Sequence, residues 1–408
     1  MIQQLLKNQT FILFGSSIIG VGLGIIASIL NTHFLTPAEY GNYRYVYNII
    51  SFFSSLLLFG YFVSGCRLLA VTENPLRKKR INGAMILILT VAIIVLAICI
   101  VIFGIIQQFW INSDTTSLIF ISLPICAAPL LLNYINTTFQ GENRVTGLAY
   151  ARLLPYLIYL PIGYFWYTNW GATAKTLMLL QNGCALIVLL ILIIQLRPKF
   201  SGLKPIFKEL QKENRQYGFH VYIGSVLAVS LGYISGMTLG WFEPNNVNVG
   251  YYTLALTIAT PLSLLPAITG TTHFKEFATN NCIQKKIIIH TGLLSALTLI
   301  GFIIIIIPLV KWLYSEEYAI TGIYACFLAI GMTFHGFGDM FNRFLGSHGR
   351  GKEIRNTAVI NGSVQILGSI VLVYLWGIYG AIITKIISST IYFVLMWYYY
   401  HKYTVNGR

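Results

Sequence analysis

The sequence predicts an all-α integral membrane protein, with twelve transmembrane helices in two six-helix bundles that are related by a parallel pseudo-two-fold repeat around a central cavity. The first observation is composition: 56% of the 408 residues are hydrophobic and only 10% are charged, whereas soluble domains carry about 25% charged residues. The second is length, because apolar runs of about 18 or more residues, enough to cross a bilayer, recur along the whole chain. The third is a similar pattern of small residues and turns at the start of each half.

Each apolar run is predicted to be a helix. The runs are continuous stretches of Ile, Leu and Val, whereas a membrane-spanning barrel would show alternating apolar and polar residues. The predicted spans cover residues 10–31, 43–64, 82–107, 115–139, 146–167, 173–196, 217–241, 250–271, 286–308, 318–342, 356–376 and 379–400.

The basic residues predict the orientation of these spans. With the N-terminus in the cytoplasm, 23 of the 27 Lys and Arg residues fall in inner segments, as the positive-inside rule requires. Twelve crossings then place both termini in the cytoplasm. The net charge of +15 comes from short clusters between apolar runs, so it indicates membrane topology and argues against a nucleic-acid partner.

The chain divides into two halves of six spans. We predict an N-terminal bundle over 1–196, a cytoplasmic linker over 197–216 and a C-terminal bundle over 217–408. The linker contains KPIFKELQKENRQ, which is typical of an amphipathic helix on the membrane surface with basic residues facing anionic lipid. Both halves start inside and cross six times, so they share one orientation, which defines a parallel repeat.

Each half opens with small residues spaced four apart, which lets helices approach closely, and continues with an acidic, proline-containing turn. The first half has Gly20, Gly24 and Ser28 followed by LTPAEYGNY over 35–43; the second has Gly232, Gly236 and Gly240 followed by Phe242-Glu243-Pro244. The recurrence supports an internal repeat.

Polar stripes on two spans predict faces turned toward protein or water, because a lipid-facing stripe would be costly. The stripes are Arg44, Tyr47, Asn48, Ser51 and Ser55 on the second span, and Asn133, Asn136 and Gln140 on the fourth. Isolated charges deep in a span cost about 2.5–3.5 kcal/mol each, so they mark functional candidates.

We predict that four residues line the substrate cavity: Arg44, Asn48, Arg152 and Lys385. For Arg44 an ion pair with Glu39 at the outer surface is an equal alternative. For Arg152 and Lys385 the alternative is a long side chain that reaches the membrane interface from within the span.

Three residues at the end of the tenth span are candidates for ion coupling. His335, Asp339 and Arg343 are four apart and share one helix face. The alternative is a simple Asp339–Arg343 pair at the cytoplasmic rim. The functional interpretation is a titratable His–Asp element that couples ion movement to the conformational cycle.

The polar lining predicts the class of substrate. Deep charges are mostly basic, and the other lining residues are amides, hydroxyls and tyrosines, which suits an anionic, sugar-bearing molecule. No Walker A sequence, metal-ligand spacing or catalytic set occurs, so we expect no enzymatic activity, no catalytic residue, no metal and no cofactor.

The chain resembles the Wzx-type polysaccharide flippases of the multidrug/oligosaccharidyl-lipid/polysaccharide exporter superfamily. The segments that carry the resemblance are LTPAEYGNY over 35–43, FQGENR over 139–144, IPL through YSEEY over 307–318, and GSHGR over 346–350. The resemblance covers essentially the full length, and such proteins have twelve helices in two lobes.

The resemblance implies ion-driven movement of an undecaprenyl-pyrophosphate-linked oligosaccharide, of O-antigen or similar type, across the bacterial cytoplasmic (inner) membrane. Its implied partners are this substrate, the membrane lipids, a polysaccharide polymerase and a chain-length regulator. Two alternatives stay open: a multidrug/ion antiporter of the same superfamily, disfavoured by the scarcity of deep acids, and a membrane-bound polysaccharide polymerase, disfavoured by the short outer loops.

Overall fold

The computed structural model describes residues 9–110, 114–219, 221–223 and 231–406, and within these ranges the chain is helical without β-strands. Before the linker the helices are α1 (Gln9–Phe34), α2 (Pro37–Leu56), α3 (Tyr61–Val71), α4 (Pro75–Trp110), α5 (Asp114–Ser122), α6 (Ala128–Gly141), α7 (Val145–Trp170) and α8 (Ala174–Gln195). From the linker onward they are α9 (Lys204–Glu213), α10 (Leu231–Phe242), α11 (Val247–Ala259), α12 (Pro261–Thr272), α13 (Phe274–Thr279), α14 (Lys285–Leu313), α15 (Ile320–Ser347) and α16 (Gly351–Asn406).

The helices form two compact units. Unit 1 contains the residues up to Leu35 together with Val46–Tyr233, and unit 2 contains Thr36–Tyr45 together with Ile234–Arg408. The units differ from the predicted halves, 1–196 and 217–408, in two ways. The turn over 36–45 belongs to unit 2, and the rest of unit 2 begins at Ile234 and not at residue 217. The division into two repeated bundles therefore stays a prediction.

Nine helices of the described ranges are long and apolar enough to cross a membrane, or ten if the bent pair α2 and α3 is one span. Twelve spans were predicted. Helix α16 covers two of them, 356–376 and 379–400, and its backbone is non-helical at Gly377, where φ is 53°. Another, 217–241, falls partly outside the described residues.

Unit 1 contains a broken helix. The axes of α2 and α3 differ by 59°, and Phe59 and Gly60 between them have φ values of 44° and 78°. The linker and the segment after it supply partners for this break. The Asn214 side-chain amide of the linker donates to the Phe59 carbonyl at 3.0 Å, and the Tyr222 hydroxyl, just after the linker, donates to the Leu56 carbonyl. Backbone groups freed by a break inside a bilayer need such partners.

The linker forms the predicted amphipathic helix, α9, and continues without a break into one wider turn over Asn214–Gly218. Its apolar face buries Ile206 and Leu210 within unit 1. Its two acidic residues form ion pairs with the helices nearby, Glu209 with Arg77 and Glu213 with Arg67. Four of the eight exposed residues of this helix and turn are basic: Lys204, Lys208, Lys212 and Arg215.

Unit 2 is built around α15, which packs against α16, α12, α11 and α14. The turn over 36–45 belongs to this unit, where it meets the turn that the repeat pattern pairs with it. The Asn246 amide donates to the Asn42 side-chain oxygen at 2.8 Å. The ring of Tyr318, which is fully buried, makes edge contacts with Tyr40 and Tyr251.

Candidate functional site

In unit 1 the two predicted polar stripes meet at a cavity of about 180 Å³, which we call the hydroxyl pocket. Helix α2 and the turn after it contribute Tyr47, Ser51, Ser54, Ser55 and Leu58. The opposite wall consists of residues from α6 and one from α10: Pro129, Leu132, Asn133, Asn136 and Tyr233. The pocket therefore lies beside the break between α2 and α3.

Several polar atoms of the hydroxyl pocket have no hydrogen-bond partner in the protein. They are the hydroxyls of Ser51 and Ser54 and the side-chain oxygen of Asn136. Ser51 and Ser54 are 4% and 3% exposed. Ser55 differs, because its hydroxyl donates to the Phe52 carbonyl at 2.7 Å.

The other residues predicted for the substrate cavity in the first half are not among the residues that line the hydroxyl pocket. Asn48 is buried on α2. The Arg44 guanidinium donates twice to the Tyr40 hydroxyl, at 2.8 and 2.6 Å, and lies over the Tyr40 ring. The Arg152 guanidinium donates to the Ser17 hydroxyl at 2.5 Å, which joins α7 to α1.

In unit 2 two of the three ion-coupling candidates, His335 and Asp339, lie against α16. Together with Lys385 and Tyr392 of that helix they form what we call the charged cluster. The Tyr392 hydroxyl donates to Asp339 Oδ1 at 2.9 Å and accepts from the Asn342 amide at 2.9 Å. The His335 and Tyr392 ring centroids are 4.9 Å apart. Tyr392 therefore links the predicted His–Asp face to the last helix.

Lys385 is the basic member of the charged cluster, and its side chain is only partly exposed. Its ammonium interacts electrostatically with Asp339 and His335, although the Lys385 and Asp339 side chains form no ion pair within 4.0 Å. The Asp339 and Arg343 side chains, both in the described part of the chain, also form no ion pair within 4.0 Å. The simple Asp339–Arg343 pair that was the alternative interpretation is therefore not formed. Arg343 is exposed and acts on Asp339 at longer range.

A glycine makes room for the central tyrosine. A Cβ atom on Gly338 would overlap the Tyr392 ring, so a side chain there would displace the ring. The small residue of α15 and the aromatic residue of α16 thus allow the Tyr392 hydroxyl to reach Asp339, one residue further along α15.

Sequence reasoning missed two buried polar networks. In unit 1 the Asn31 amide donates to the Gln181 side chain at 3.1 Å, and the Tyr159 hydroxyl contacts Asn31 and Tyr167. In unit 2 four residues from α10 and α16 form a second network: Ser235, Gln365, Ser369 and Ser388. The sequence did contain a signal for these networks. Asn31, Gln181 and Gln365 are single amides in otherwise apolar runs, and such residues commonly form hydrogen bonds between membrane helices.

Neither region gathers metal ligands. Over the described ranges no group of three or more His, Cys, Asp or Glu side chains is arranged to hold a metal ion. The two regions differ in chemistry. The hydroxyl pocket of unit 1 has neutral hydroxyls and amides, whereas the charged cluster of unit 2 has an acid, Asp339, hydrogen-bonded to the Tyr392 hydroxyl and influenced by the basic Lys385.

Comparison with known proteins decides the family. The family model described as "Polysaccharide biosynthesis protein" matches residues 5–274, well over half of the chain. The chain belongs to this family. The predicted relationship to Wzx-type flippases is therefore confirmed, and it makes the chain a multi-pass membrane protein of the flippase and transporter type.

One relative that is similar to this chain in sequence is the "Uncharacterized membrane protein MJ1068" of Methanocaldococcus jannaschii. It is 23% identical over 393 residues, which cover 87% of this chain and 76% of that protein. Its description agrees with a membrane protein and adds no activity.

Two solved structures share the fold of this family member. The "Lipid II flippase MurJ, inward closed conformation" has a TM-score of 0.76 at 15% identity and covers 97% of this chain and 90% of that one. An inward-facing multidrug resistance MATE family transporter of the MOP superfamily has a TM-score of 0.66 at 13% identity, covering 95% and 96%. At such low identity the likeness establishes the fold alone.

Proposed function

We propose that this protein is a flippase that moves an undecaprenyl-pyrophosphate-linked oligosaccharide, an O-antigen or similar repeat unit, across the bacterial inner membrane. The observation that carries the proposal is the match of residues 5–274 to a polysaccharide biosynthesis family, in a chain that has a membrane fold. The name of a structural neighbour, a lipid II flippase, supports a lipid-linked substrate.

In this proposal the chain crosses the membrane twelve times, with both termini in the cytoplasm, and consists of the repeated bundles 1–196 and 217–408. Transport proceeds by alternating access, in which the protein opens to each side of the membrane in turn and an ion gradient supplies the energy. The protein itself is no enzyme, and a polysaccharide polymerase and a chain-length regulator act on what it delivers.

The basic residues Arg44, Arg152 and Lys385, together with Asn48, are proposed to contact the substrate. A pyrophosphate group needs cationic, hydrogen-bonding partners, and sugars need amides and hydroxyls. Arg44 and Arg152 donate hydrogen bonds to the hydroxyls of Tyr40 and Ser17, and a pyrophosphate oxygen is a stronger acceptor for a guanidinium group than a neutral hydroxyl is.

The charged cluster is proposed to couple ion movement to transport. Asp339 accepts from Tyr392 and is influenced by Lys385 and Arg343, so protonation of Asp339 would change the forces between α15 and α16. Titratable groups of this kind inside a membrane bundle are typical of ion-coupled carriers. The proposed coupling residues are His335, Asp339 and Arg343.

The second candidate function is a multidrug/ion antiporter. The MATE-like fold and the partly buried acid Asp339 favour it. The uncharged, hydrogen-bonding lining of the hydroxyl pocket in unit 1, which suits a sugar, and the family match favour the flippase.

The test is deletion of the gene, followed by a leaflet-resolved assay of the lipid-linked oligosaccharide. Accumulation on the cytoplasmic side supports a flippase. Accumulation of single repeat units on the outer side identifies a polymerase instead, and an unchanged distribution together with increased drug sensitivity identifies the antiporter.

A further inference from the structure

We propose that the hydroxyl pocket of unit 1 is a binding subsite for one neutral sugar ring. The subsite rests on the proposed function, because it assigns part of an oligosaccharide to a defined place. It adds to that function a ligand class and a set of contact residues within a single unit.

The first argument is the state of the pocket's polar atoms. Ser51 and Ser54 are more than nine-tenths buried, yet their hydroxyls have no partner in the protein. A helical serine commonly bonds to a carbonyl one turn back, as Ser55 does with Phe52. Unpaired buried polar atoms are rare in folded proteins. Three of them surround this cavity: the hydroxyls of Ser51 and Ser54 and the side-chain oxygen of Asn136. They indicate a ligand that supplies the missing hydrogen bonds.

The second argument is charge. The lining residues are serines, asparagines, tyrosines, leucines and a proline, none of which is ionised at neutral pH. A phosphate in the pocket would lack a cationic partner, and a metal or organic cation would lack a carboxylate. A ligand hydroxyl can both donate and accept, so it pairs equally well with serine hydroxyls and with asparagine amides.

The third argument is size and shape. Sites for drug-sized molecules have volumes of about 300–1,000 Å³, whereas this cavity measures about 180 Å³. It suits one ring rather than an extended drug or a lipid chain, whose methylene groups would leave Ser51 and Ser54 unpaired. Leu58 and Leu132 supply apolar contacts for the C–H face of a sugar, and Tyr47 and Tyr233 supply aromatic rings.

The position of the pocket adds a fourth argument. It lies next to the break between α2 and α3, where Phe59 and Gly60 leave helical geometry. Irregular backbone at membrane depth is tolerated where it is buried in protein or lines a cavity. The break is held by Asn214 and Tyr222, so the pocket is a built feature of unit 1.

The experiment compares the double variant Ser51→Ala/Ser54→Ala with the control Ser122→Ala in the purified full-length protein. Ser122 is a buried serine of unit 1 that does not line the pocket, and its hydroxyl donates to the Ile119 carbonyl. Saturation-transfer NMR measures binding of glucose, galactose and N-acetylglucosamine, and thermal unfolding measures stability. We expect at least one sugar to bind the wild type and the control, and the double variant to bind it about tenfold more weakly, because two hydrogen bonds are lost. The melting temperature of the double variant should be equal or higher, since it no longer buries unpaired hydroxyls.

Several results would overturn the subsite. They are an absence of saturation transfer from all three sugars, equal binding by the double variant and the wild type, and a lower melting temperature of the double variant, which would indicate structural hydroxyls. A thermal shift with NaCl that the double variant loses would assign the pocket to a cation instead. The flippase proposal fails separately: sugar binding that depends on Ser51 and Ser54, without any change of leaflet distribution on gene deletion, supports the subsite and contradicts flipping.

Discussion

The hydroxyl pocket of unit 1 and the charged cluster of unit 2 are both polar regions inside apolar helices, but their polar groups are in opposite states. In the pocket, the hydroxyls of Ser51 and Ser54 lack partners. In the cluster, the Asp339 carboxylate and the Tyr392 hydroxyl are hydrogen-bonded to each other. Unpaired neutral groups are ready for a ligand that brings hydrogen bonds, whereas a paired acid beside a lysine is ready to respond to a proton or an ion. Under the proposals above, unit 1 provides neutral contacts to a sugar ring, and unit 2 provides the coupling residues together with the basic side chains of Arg44 and Lys385.

The largest effect is expected from Asp339→Asn. This change keeps the shape of the side chain but removes the charge that interacts with Lys385 and Arg343. Ion-driven movement of lipid-linked oligosaccharide in proteoliposomes should fall about tenfold or more, because the Tyr392 hydroxyl then donates to a neutral amide oxygen instead of a carboxylate and no titratable group remains at this position.

The matched control for Asp339→Asn is Glu353→Gln, which changes a surface acid of the same unit that lies near Arg350. Transport by the control should be unchanged. If Asp339→Asn transports at the wild-type rate, or if wild-type transport has a flat pH profile, the charged cluster has no role in proton coupling.

A smaller effect is expected from Lys385→Ala. Loss of the ammonium removes the basic group that faces Asp339 and His335, so surface polysaccharide should fall about fivefold while the amount of protein in the membrane stays nearly constant. The measurement is surface display normalised to protein level. Lys311→Ala, at an exposed position near the end of α14, is the control, and normal display by Lys385→Ala would rule out the proposed role.

Tyr159→Phe distinguishes polar groups that hold helices together from those of the hydroxyl pocket. The Tyr159 hydroxyl contacts Asn31 and Tyr167, so its removal leaves buried partners unpaired and should lower stability by about 1–3 kcal/mol. Transport per folded molecule should stay the same. Exposed Tyr164→Phe is the control. A stable variant with impaired transport would show instead that this network belongs to the site.

The smallest effect concerns Glu243, which lies in the turn between α10 and α11. Partial burial raises its pKa above the ordinary value of 4.5, although hydrogen bonds from Asn248 and from the Ile378 backbone oppose this shift. Since the folded state then binds more protons than the unfolded state, stability should decline as the pH rises above about 4.5. Glu243→Gln should flatten this part of the profile of melting temperature against pH, and an unchanged slope would assign it to other groups.

The sequence predicted a good part of both regions. Helical spacing placed Ser51 and Ser55 on one face of the second span, Asn133 and Asn136 on one face of the fourth, and His335 and Asp339 on one face of the tenth. Helical periodicity is a local property, and lipid excludes polar stripes from the outer surface. Ser54 and Tyr233 were missed as lining residues because their position depends on the bend after α2 and on the packing of α10.

By itself the sequence determined that this protein is an all-helical membrane protein, because apolar length and the placement of basic residues respond directly to the bilayer. Tertiary structure alone decided which polar residues meet. Tyr392 is 53 residues from Asp339, and the stripes of α2 and α6 are separated by more than a complete helix. Such pairings depend on how helices pack, and packing is set by many weak contacts that no short segment encodes.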